Sequence, residues 1–140
     1  MKSITVQIAV NATPEKVWKA WTTPKEVMLW NNPSSDWHSP VVEIDLREEG
    51  KFLFRMQAKD GSEGFDHAGI YDKILLHELI EYTTKEGRKS RIVFTPNGNA
   101  TKVSETFEPE RSISLDMQRD FVQAILENFK KHVEERSSIH

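Results

Sequence analysis

The chain has 140 residues, a formal net charge of −3 at pH 7 and no cysteine. This length fits one domain with a single core, which we expect to span residues 1–136, with residues 137–140 forming a frayed C-terminus. Without cysteine, disulfides, thiol nucleophiles and cysteine-ligated metal sites are excluded. Acidic and basic residues are interspersed without a Lys/Arg stripe, so nucleic acid is not an expected partner.

No segment approaches the roughly 20 consecutive apolar residues of a membrane span. The N-terminal sequence MKSITVQIAV lacks the continuous apolar run of a signal peptide. We therefore expect a cytoplasmic protein without a membrane span, present as a monomer or weak dimer.

The first 30 residues predict a strand and two short helices. Apolar and polar residues alternate over 4–10, ITVQIAV, so one face of this strand is apolar. Two Thr-Pro pairs follow, and each is a helix-start signal because proline is tolerated at the first helical position. We expect helices over 14–21 and 24–30, the second with a capping box between Thr23 and Glu26.

A series of strands should come next, after the loop-like segment NNPSSDWHSP at 31–40. Alternating residues separated by turn signals predict six strands. Their expected ranges are 42–46, 52–56, 65–75, 79–83, 89–95 and 101–107. Short turns between consecutive strands imply an antiparallel meander. In the third of these strands, alternation places His67 and Tyr71 on one face and Ile74 on the other.

Residues 112–136 predict one long helix. Its apolar positions cover roughly 200° of arc, which is wide for a surface helix and suits a helix gripped by a curved sheet. Gln118 lies near the middle of this arc. It either orients a ligand in an apolar pocket or hydrogen-bonds a backbone carbonyl.

This order of elements resembles the helix-grip, or START-like (SRPBCC), fold. Local sequence is also similar to one branch of that superfamily, the domain named for activators of the heat-shock protein 90 ATPase. The resembling blocks are ATPEKVWKAWTTPKEVMLW (12–30), DWHSPVVEIDLREEGKFLFRM (36–56), AKDGSEGFDHAGIYDKI (58–74), TKVSETFE (101–108) and MQRDFVQAILENFKKHVE (117–134). The resemblance implies an α+β fold in which a curved antiparallel sheet wraps the C-terminal helix. It also implies a superfamily of lipid and hormone carriers, aromatase/cyclases and chaperone-activating domains.

Glu105 is the first polar residue on a strand face that alternation predicts to be interior, and it shares this face with Val103 and Phe107. An unpaired buried carboxylate is costly, so it would need a partner, such as Arg55 or Arg91, or a raised pKa. The alternative is a bulge or an edge position that leaves Glu105 in water. The uncertainty of strand ends in sequence favours this exposed alternative.

His67 is the second, between Phe65 and Tyr71 on its strand face. We expect a structural or cavity-lining histidine, because the sequence supplies no second group for acid–base catalysis. The five histidines show no HxH or HExxH spacing, so no metal site is expected. No glycine-rich phosphate or dinucleotide motif is present, so no cofactor is expected either.

Trp30 and Trp37 flank the 31–40 loop, which in a helix-grip fold lies near one end of the interior. They either stack on a flat ligand at a pocket mouth or plug the end of the domain and leave no cavity.

The favoured hypothesis is binding of an apolar small molecule, such as a lipid, a polyketide or an aromatic metabolite, between the sheet and the long helix. The predicted ligand-binding residues are Trp30, Trp37, Phe54, Met56, Phe65, His67, Tyr71, Glu105, Gln118, Phe121 and Ile125. The resemblance leaves two alternatives. One is a chaperone-activating interaction domain in the stress response. The other is a cyclase-like or hydrolytic enzyme with Glu105, His67 or Tyr71 as acid–base groups, which we consider less favoured than binding.

Overall fold

The computed structural model describes residues 3–137. In chain order its elements are β1 (Ile4–Val10), α1 (Pro14–Thr22), α2 (Pro24–Trp30), β2 (Trp37–Ile44), β3 (Lys51–Ala58), β4 (Gly64–Leu75), β5 (Leu79–Thr84), β6 (Lys89–Asn97), β7 (Ala100–Phe107) and α3 (Leu115–Ser137). The predicted order of strand, two helices, six strands and long helix is confirmed. Of the segment expected to fray, residues 138–140 lie outside the described residues.

Within this range the strands form one antiparallel sheet in the order β1-β7-β6-β5-β4-β3-β2. The six-strand meander from β2 to β7 is confirmed. β1 adds to its far side, with Ile4 opposite Phe107 and Val10 opposite Thr101. β7 is therefore an interior strand of the sheet, flanked by β1 and β6.

α3 lies along the inner face of this curved sheet, in the α+β helix-grip arrangement. Its C-terminal half is embedded, since Leu126 and Phe129 are fully buried. The Phe129 ring packs against both short helices, with centroids 5.0 Å from Trp21 and 4.7 Å from Trp30. No helix in residues 3–137 is long and apolar enough to cross a membrane.

The predicted start of α3 at residue 112 is wrong by three residues. Ser114 accepts a hydrogen bond at its Oγ from the Met117 backbone N–H at 3.0 Å, which caps the helix before Leu115. The predicted loop over 31–40 is also too long. β2 starts at Trp37, and an irregularity between His38 and Val41 interrupts the alternation that would have shown it.

The predicted capping box of α2 is wrong. The Thr23 hydroxyl donates to the Lys19 carbonyl oxygen of α1 at 2.6 Å, so it serves the end of the preceding helix. The Glu26 carboxylate instead meets α3, 2.6 Å from His132 Nε2 and 3.6 Å from Arg136 Nε. Glu26 thus ties the second short helix to the long one.

The predicted face of Ile74 is wrong as well. A bulge between Tyr71 and Lys73 adds one residue to β4 and reverses the alternation after it. Ile74 then lies opposite Ile80 and packs on the core, on the same face as Tyr71.

Candidate functional site

A cavity of about 550 Å³ lies between the inner face of the sheet and α3. It is lined by all eleven residues predicted as ligand contacts: Trp30, Trp37, Phe54, Met56, Phe65, His67, Tyr71, Glu105, Gln118, Phe121 and Ile125. The structure therefore brings them together around one space, and their role in binding stays a prediction. The exposed lining residues Glu63, Phe65, Ile113 and Met117 mark its open end.

The cavity lies under the N-terminal half of α3, whose inward-facing side chains are less covered than those of its C-terminal half. The exposed fraction of the inward-facing side chains rises from 0 % at Leu126 to 9 % at Ile125 and 66 % at Met117. Phe121 and Val122 between them are partly buried. Apolar side chains fill the space under the second half of α3, and the space under the first half is open.

A cluster of aromatic rings forms the wall of the cavity on β3, β4 and β5. The Phe52 ring lies 5.6 Å from Phe54, 5.2 Å from Tyr71 and 4.8 Å from Tyr82, measured between centroids. Gly69 makes room for it, since a Cβ there would come within 3.0 Å of the Phe52 ring and 2.3 Å of a backbone oxygen. This wall offers apolar and π surface.

The two tryptophans that flank the 31–40 loop have different roles. Trp37 stands at the mouth, 6.1 Å from the Phe65 ring and 6.4 Å from the Phe121 ring. Trp30 closes the inner end. It is only 2 % exposed, and its Nε1–H donates to the Ala20 carbonyl oxygen at 2.9 Å. Of the two alternatives, the pocket-mouth position describes Trp37 and the plug describes Trp30.

His67 pairs with a residue that sequence reasoning missed. Its Nε2 lies 3.1 Å from the Tyr82 hydroxyl, and the histidine tautomer decides which of the two donates. Burial lowers the pKa of His67 to about 4, so the ring is neutral at pH 7. Burial, with the nearby Glu105 carboxylate, raises the pKa of the Tyr82 hydroxyl, and a hydrogen bond with Ser90 partly opposes this rise. Both side chains are uncharged cavity groups at neutral pH.

Glu105 faces the cavity from the middle of β7. The strand has no bulge, and Glu105 lies opposite Val6 on one side and Ile92 on the other. The bulge and the edge position considered for Glu105 are therefore wrong, and its half-buried side chain faces the cavity. Burial raises the pKa of its carboxyl to about 7.

The arginines considered as partners of Glu105 are both engaged elsewhere. Arg55 lies 3.3 Å from the Asp66 carboxylate and Arg91 lies 3.4 Å from Glu81. Alternation explains this, because both arginines stand next to inward-facing residues and so point outward. Within residues 3–137 the Glu105 carboxylate has no hydrogen bond or ion pair.

Gln118 lines the cavity, but its amide is occupied by backbone. Its Oε1 accepts from the Glu110 N–H at 2.8 Å, and its Nε2 donates to the Glu110 and Ile113 carbonyl oxygens, each at 2.9 Å. Because α3 starts at Leu115, Gln118 lies in its first turn, beside the segment that precedes the helix. The backbone alternative is the one observed, and it fixes residues 110–114 at the cavity mouth.

Further residues of the lining were not predicted. Tyr82 could have been found, because alternation in 79–83 puts it on the face of Ile80, opposite Tyr71. Arg88 lies just before β6 and Ser90 lies at its start. The sequence did not define where this strand begins closely enough to place either side chain. The glutamates at the rim of the cavity, Glu63, Glu108 and Glu110, escaped notice because they lie outside the strands and helices, where alternation and periodicity give no face.

A second depression, of about 540 Å³, runs along one side of α3. It is open to solvent and is lined mainly by polar side chains, among them Asp120, Gln123, Glu127 and Lys131. In the described part of the chain, no group of three His, Asp or Glu side chains is placed to hold a metal ion.

Solved structures similar to this chain come from several bacteria. An AHSA1-like protein from Aeromonas hydrophila is 34% identical with a TM-score of 0.91, over 99% of this chain and 97% of that chain. A protein from Cytophaga hutchinsonii is 44% identical with a TM-score of 0.83, over 99% and 96%. A protein from Chromobacterium violaceum is 22% identical with a TM-score of 0.87, over 96% and 99%, and shows the fold alone.

A comparison with curated proteins gave no match. A family model does match, over residues 11–134, and it describes the Activator of Hsp90 ATPase homolog 1-like proteins. This match covers the two short helices, the meander and most of α3. The chain therefore belongs to the family of Activator of Hsp90 ATPase homolog 1-like proteins, a branch of the START-like superfamily.

Proposed function

We propose that this domain binds an apolar small molecule, such as a lipid, a polyketide or an aromatic metabolite, in the cavity between the sheet and α3. The observation that carries the proposal is the space itself, about 550 Å³ with aromatic walls. Ligand pockets in proteins measure roughly 300–1,000 Å³ and combine apolar walls with a few polar groups.

The contrast between the two ends of the interior supports this proposal. Protein interiors are close-packed, and a void forfeits the contacts of the atoms around it. Under the C-terminal half of α3 the packing is complete, with Leu126 and Phe129 fully buried. The sequence thus supplies side chains that fill one end and leaves the other open. Met56 and the aromatic rings give the open end an adaptable shape.

The test is NMR shift perturbation with a panel of hydrophobic metabolites. We expect shifts within residues 52–71 and 117–129, which line the cavity. Substituting Val122→Phe should fill part of the space and weaken binding, and Val41→Phe at an exposed position should not. If no compound shifts either segment, binding fails for that ligand class.

A second candidate is a chaperone-activating interaction, which family membership favours. Such binding would use the outer surface. Leu75 and Leu76, at the β4–β5 turn, are 42 % and 66 % exposed and offer apolar contact there. The check is whether the protein stimulates the ATPase of an Hsp90-class chaperone, and whether Leu76→Asp abolishes that effect while ligand shifts at the cavity persist. No stimulation would contradict this candidate.

The enzymatic alternative would use Glu105, His67 or Tyr71 as acid–base groups, and a close approach of Glu105 to His67 would favour it. These two residues stand on β7 and β4, with β6 and β5 between them. The hydrogen bond of His67 goes to Tyr82 instead. Among residues 3–137 no hydrogen bond joins Glu105 to His67, so we favour binding.

A further inference from the structure

The lining of the cavity is acidic. Four glutamates of the described chain contribute to it: Glu63, Glu105, Glu108 and Glu110. The lining cation among the described residues is Arg88, and its guanidinium lies 3.4 Å from the Glu86 carboxylate. His67 adds no positive charge, because burial lowers its pKa to about 4. An entering ligand therefore meets a negative field.

Glu105 differs from the three rim glutamates. Glu108 accepts a hydrogen bond from the Lys89 N–H at 2.7 Å, and Glu110 accepts one from the Ser112 hydroxyl at 3.3 Å. Glu63 is exposed to water. The Glu105 carboxylate stands inside the cavity without a partner from residues 3–137. Among the lining glutamates it is the one inside the cavity that is available to a ligand.

The kind of group that suits Glu105 follows from the cost of desolvation. A neutral apolar ligand would displace water from the carboxylate and offer nothing in return. A carboxylate ligand would add repulsion. A protonated amine would form a charge-assisted hydrogen bond with Glu105. The surrounding rings would also favour it, because aromatic faces attract cations. Tyr82 is close enough for the Glu105 charge to raise its pKa.

We propose that the ligand of this cavity is an amphipathic amine, whose apolar body lies against the aromatic walls and whose protonated nitrogen pairs with Glu105. This inference rests on the proposed binding function and narrows it to one ligand class. Fatty acids and other apolar carboxylates are disfavoured by the same geometry.

Three probes with one apolar body separate these possibilities: 1-naphthylmethylamine, 1-naphthalenemethanol and 1-naphthoic acid. Their affinities are measured by isothermal titration calorimetry at pH 8, where Glu105 is ionised and an alkyl amine is protonated. We expect the amine to bind about tenfold more tightly than the alcohol, and the acid to bind most weakly.

Substituting Glu105→Gln removes the charge and keeps the shape. The preference for the amine over the alcohol should then disappear. Glu43→Gln is the matched control, because Glu43 is exposed on β2 and does not line the cavity. It should keep the preference. The NMR spectrum of each variant shows whether it is folded.

The pH dependence of the wild-type protein gives a second readout that needs no variant. Amine affinity should rise between pH 5.5 and 8 as Glu105 ionises, and binding near pH 7 should release a proton to the buffer. The alcohol should show the reverse, because it desolvates the carboxylate further. The other titratable or charged groups that face this space are His67, Tyr71, Tyr82, Arg88, Glu63, Glu108 and Glu110. The first three stay neutral in this range, since burial lowers the pKa of His67 and raises those of the tyrosines.

The two proposals fail in different ways. Equal binding of amine and alcohol, or tightest binding of the acid, would overturn the amine proposal and leave the binding function intact. The same holds if Glu105→Gln keeps the preference for the amine. If none of the three probes binds, the binding function fails for flat aromatic ligands, and the amine proposal fails with it.

Discussion

Glu105 and His67 give the cavity two titrating groups with opposite effects on stability. The pKa of Glu105 is raised from 4.5 to about 7, so the stability it contributes is fully present below pH 4.5 and is lost as the pH rises through 7. The pKa of His67 is lowered from 6.5 to about 4, so its contribution is present above pH 6.5 and is lost as the pH falls through 4. At pH values between these limits, the stability contributions of Glu105 and His67 change in opposite directions and partly cancel.

The Glu105→Gln variant isolates the contribution of Glu105 to stability. At pH 8 we expect its free energy of unfolding to exceed that of the wild type by about 1–3 kcal/mol, because a buried charge is removed. At pH 4.5 and below the difference should vanish. Urea unfolding at a series of pH values measures it, with Glu43→Gln as the control. A difference that does not change with pH would contradict the assignment of the raised pKa to Glu105.

The sequence predicted which way Glu105 points, but not whether that direction leads to water. Alternation with Val103 and Phe107 placed it correctly on the interior face. Its enclosure depends on β7 lying between β6 and β1, and β1 is distant in sequence. Alternation already points Arg55 and Arg91 outward, but the carboxylates that they meet there, Asp66 and Glu81, stand on neighbouring strands. Such neighbours are fixed by the tertiary structure alone.

At the scale of elements, the first turn of α3 holds the connection that precedes it. Gln118 accepts one hydrogen bond from this connection and donates two to it, and these three bonds fix residues 110–114 beside the cavity. Gln118, the polar residue that interrupts the apolar arc in the sequence, thus joins the helix to the preceding loop by hydrogen bonds. The sequence could not distinguish this role of Gln118 from a ligand contact. The cap at Ser114 makes the helix begin later than periodicity indicates, and only this later start brings Gln118 next to the loop.

Removing these hydrogen bonds should make the backbone of residues 110–114, at the mouth of the cavity, more mobile. In Gln118→Ala we expect faster hydrogen exchange of the Glu110 amide and a loss of about 1–2 kcal/mol in the free energy of unfolding. Gln123→Ala is the matched control, since Gln123 lies on the same helix and donates to the Gln7 carbonyl oxygen at 3.3 Å. Unchanged protection of the Glu110 amide in Gln118→Ala would show that the loop is held by other contacts.

At the scale of the whole molecule, one interior has a packed end and an open end. All eleven predicted residues border the cavity. Nine of them were chosen from alternation or helical periodicity, because the face on which a residue lies is a local property of a strand or helix. Trp30 and Trp37 were chosen from the loop that they flank. How far each is enclosed is not local. Trp30 and Met56 are 2 % and 3 % exposed, and Phe65 is 41 % exposed. Met56 and Phe65 differ in exposure although they lie opposite each other on β3 and β4, so enclosure depends on neighbours that are distant in the sequence.

Alanine substitutions of two phenylalanines on α3 should distinguish the packed end of the interior from the open end. Phe129→Ala removes a fully buried ring and should cost about 3–5 kcal/mol of unfolding free energy. Phe121→Ala should cost less than about 2 kcal/mol, because Phe121 is half-buried and borders an existing void. Denaturant unfolding compares them. Equal costs would mean that the N-terminal half of α3 packs as tightly as the rest.

The pairing of β1 with β7 has a consequence for synthesis on the ribosome. Thr5 and Thr106, whose hydroxyls are 2.9 Å apart, are separated by 101 positions in the chain. At about 5–20 residues per second, the first strand waits some 5–20 s for its partner to be made. Hairpins from β2 to β6 can close during that interval, because each strand follows its neighbour directly. A nascent chain stalled before residue 107 therefore leaves the backbone edge of β1 without its pairing strand, and an unpaired strand edge is open to aggregation until translation resumes.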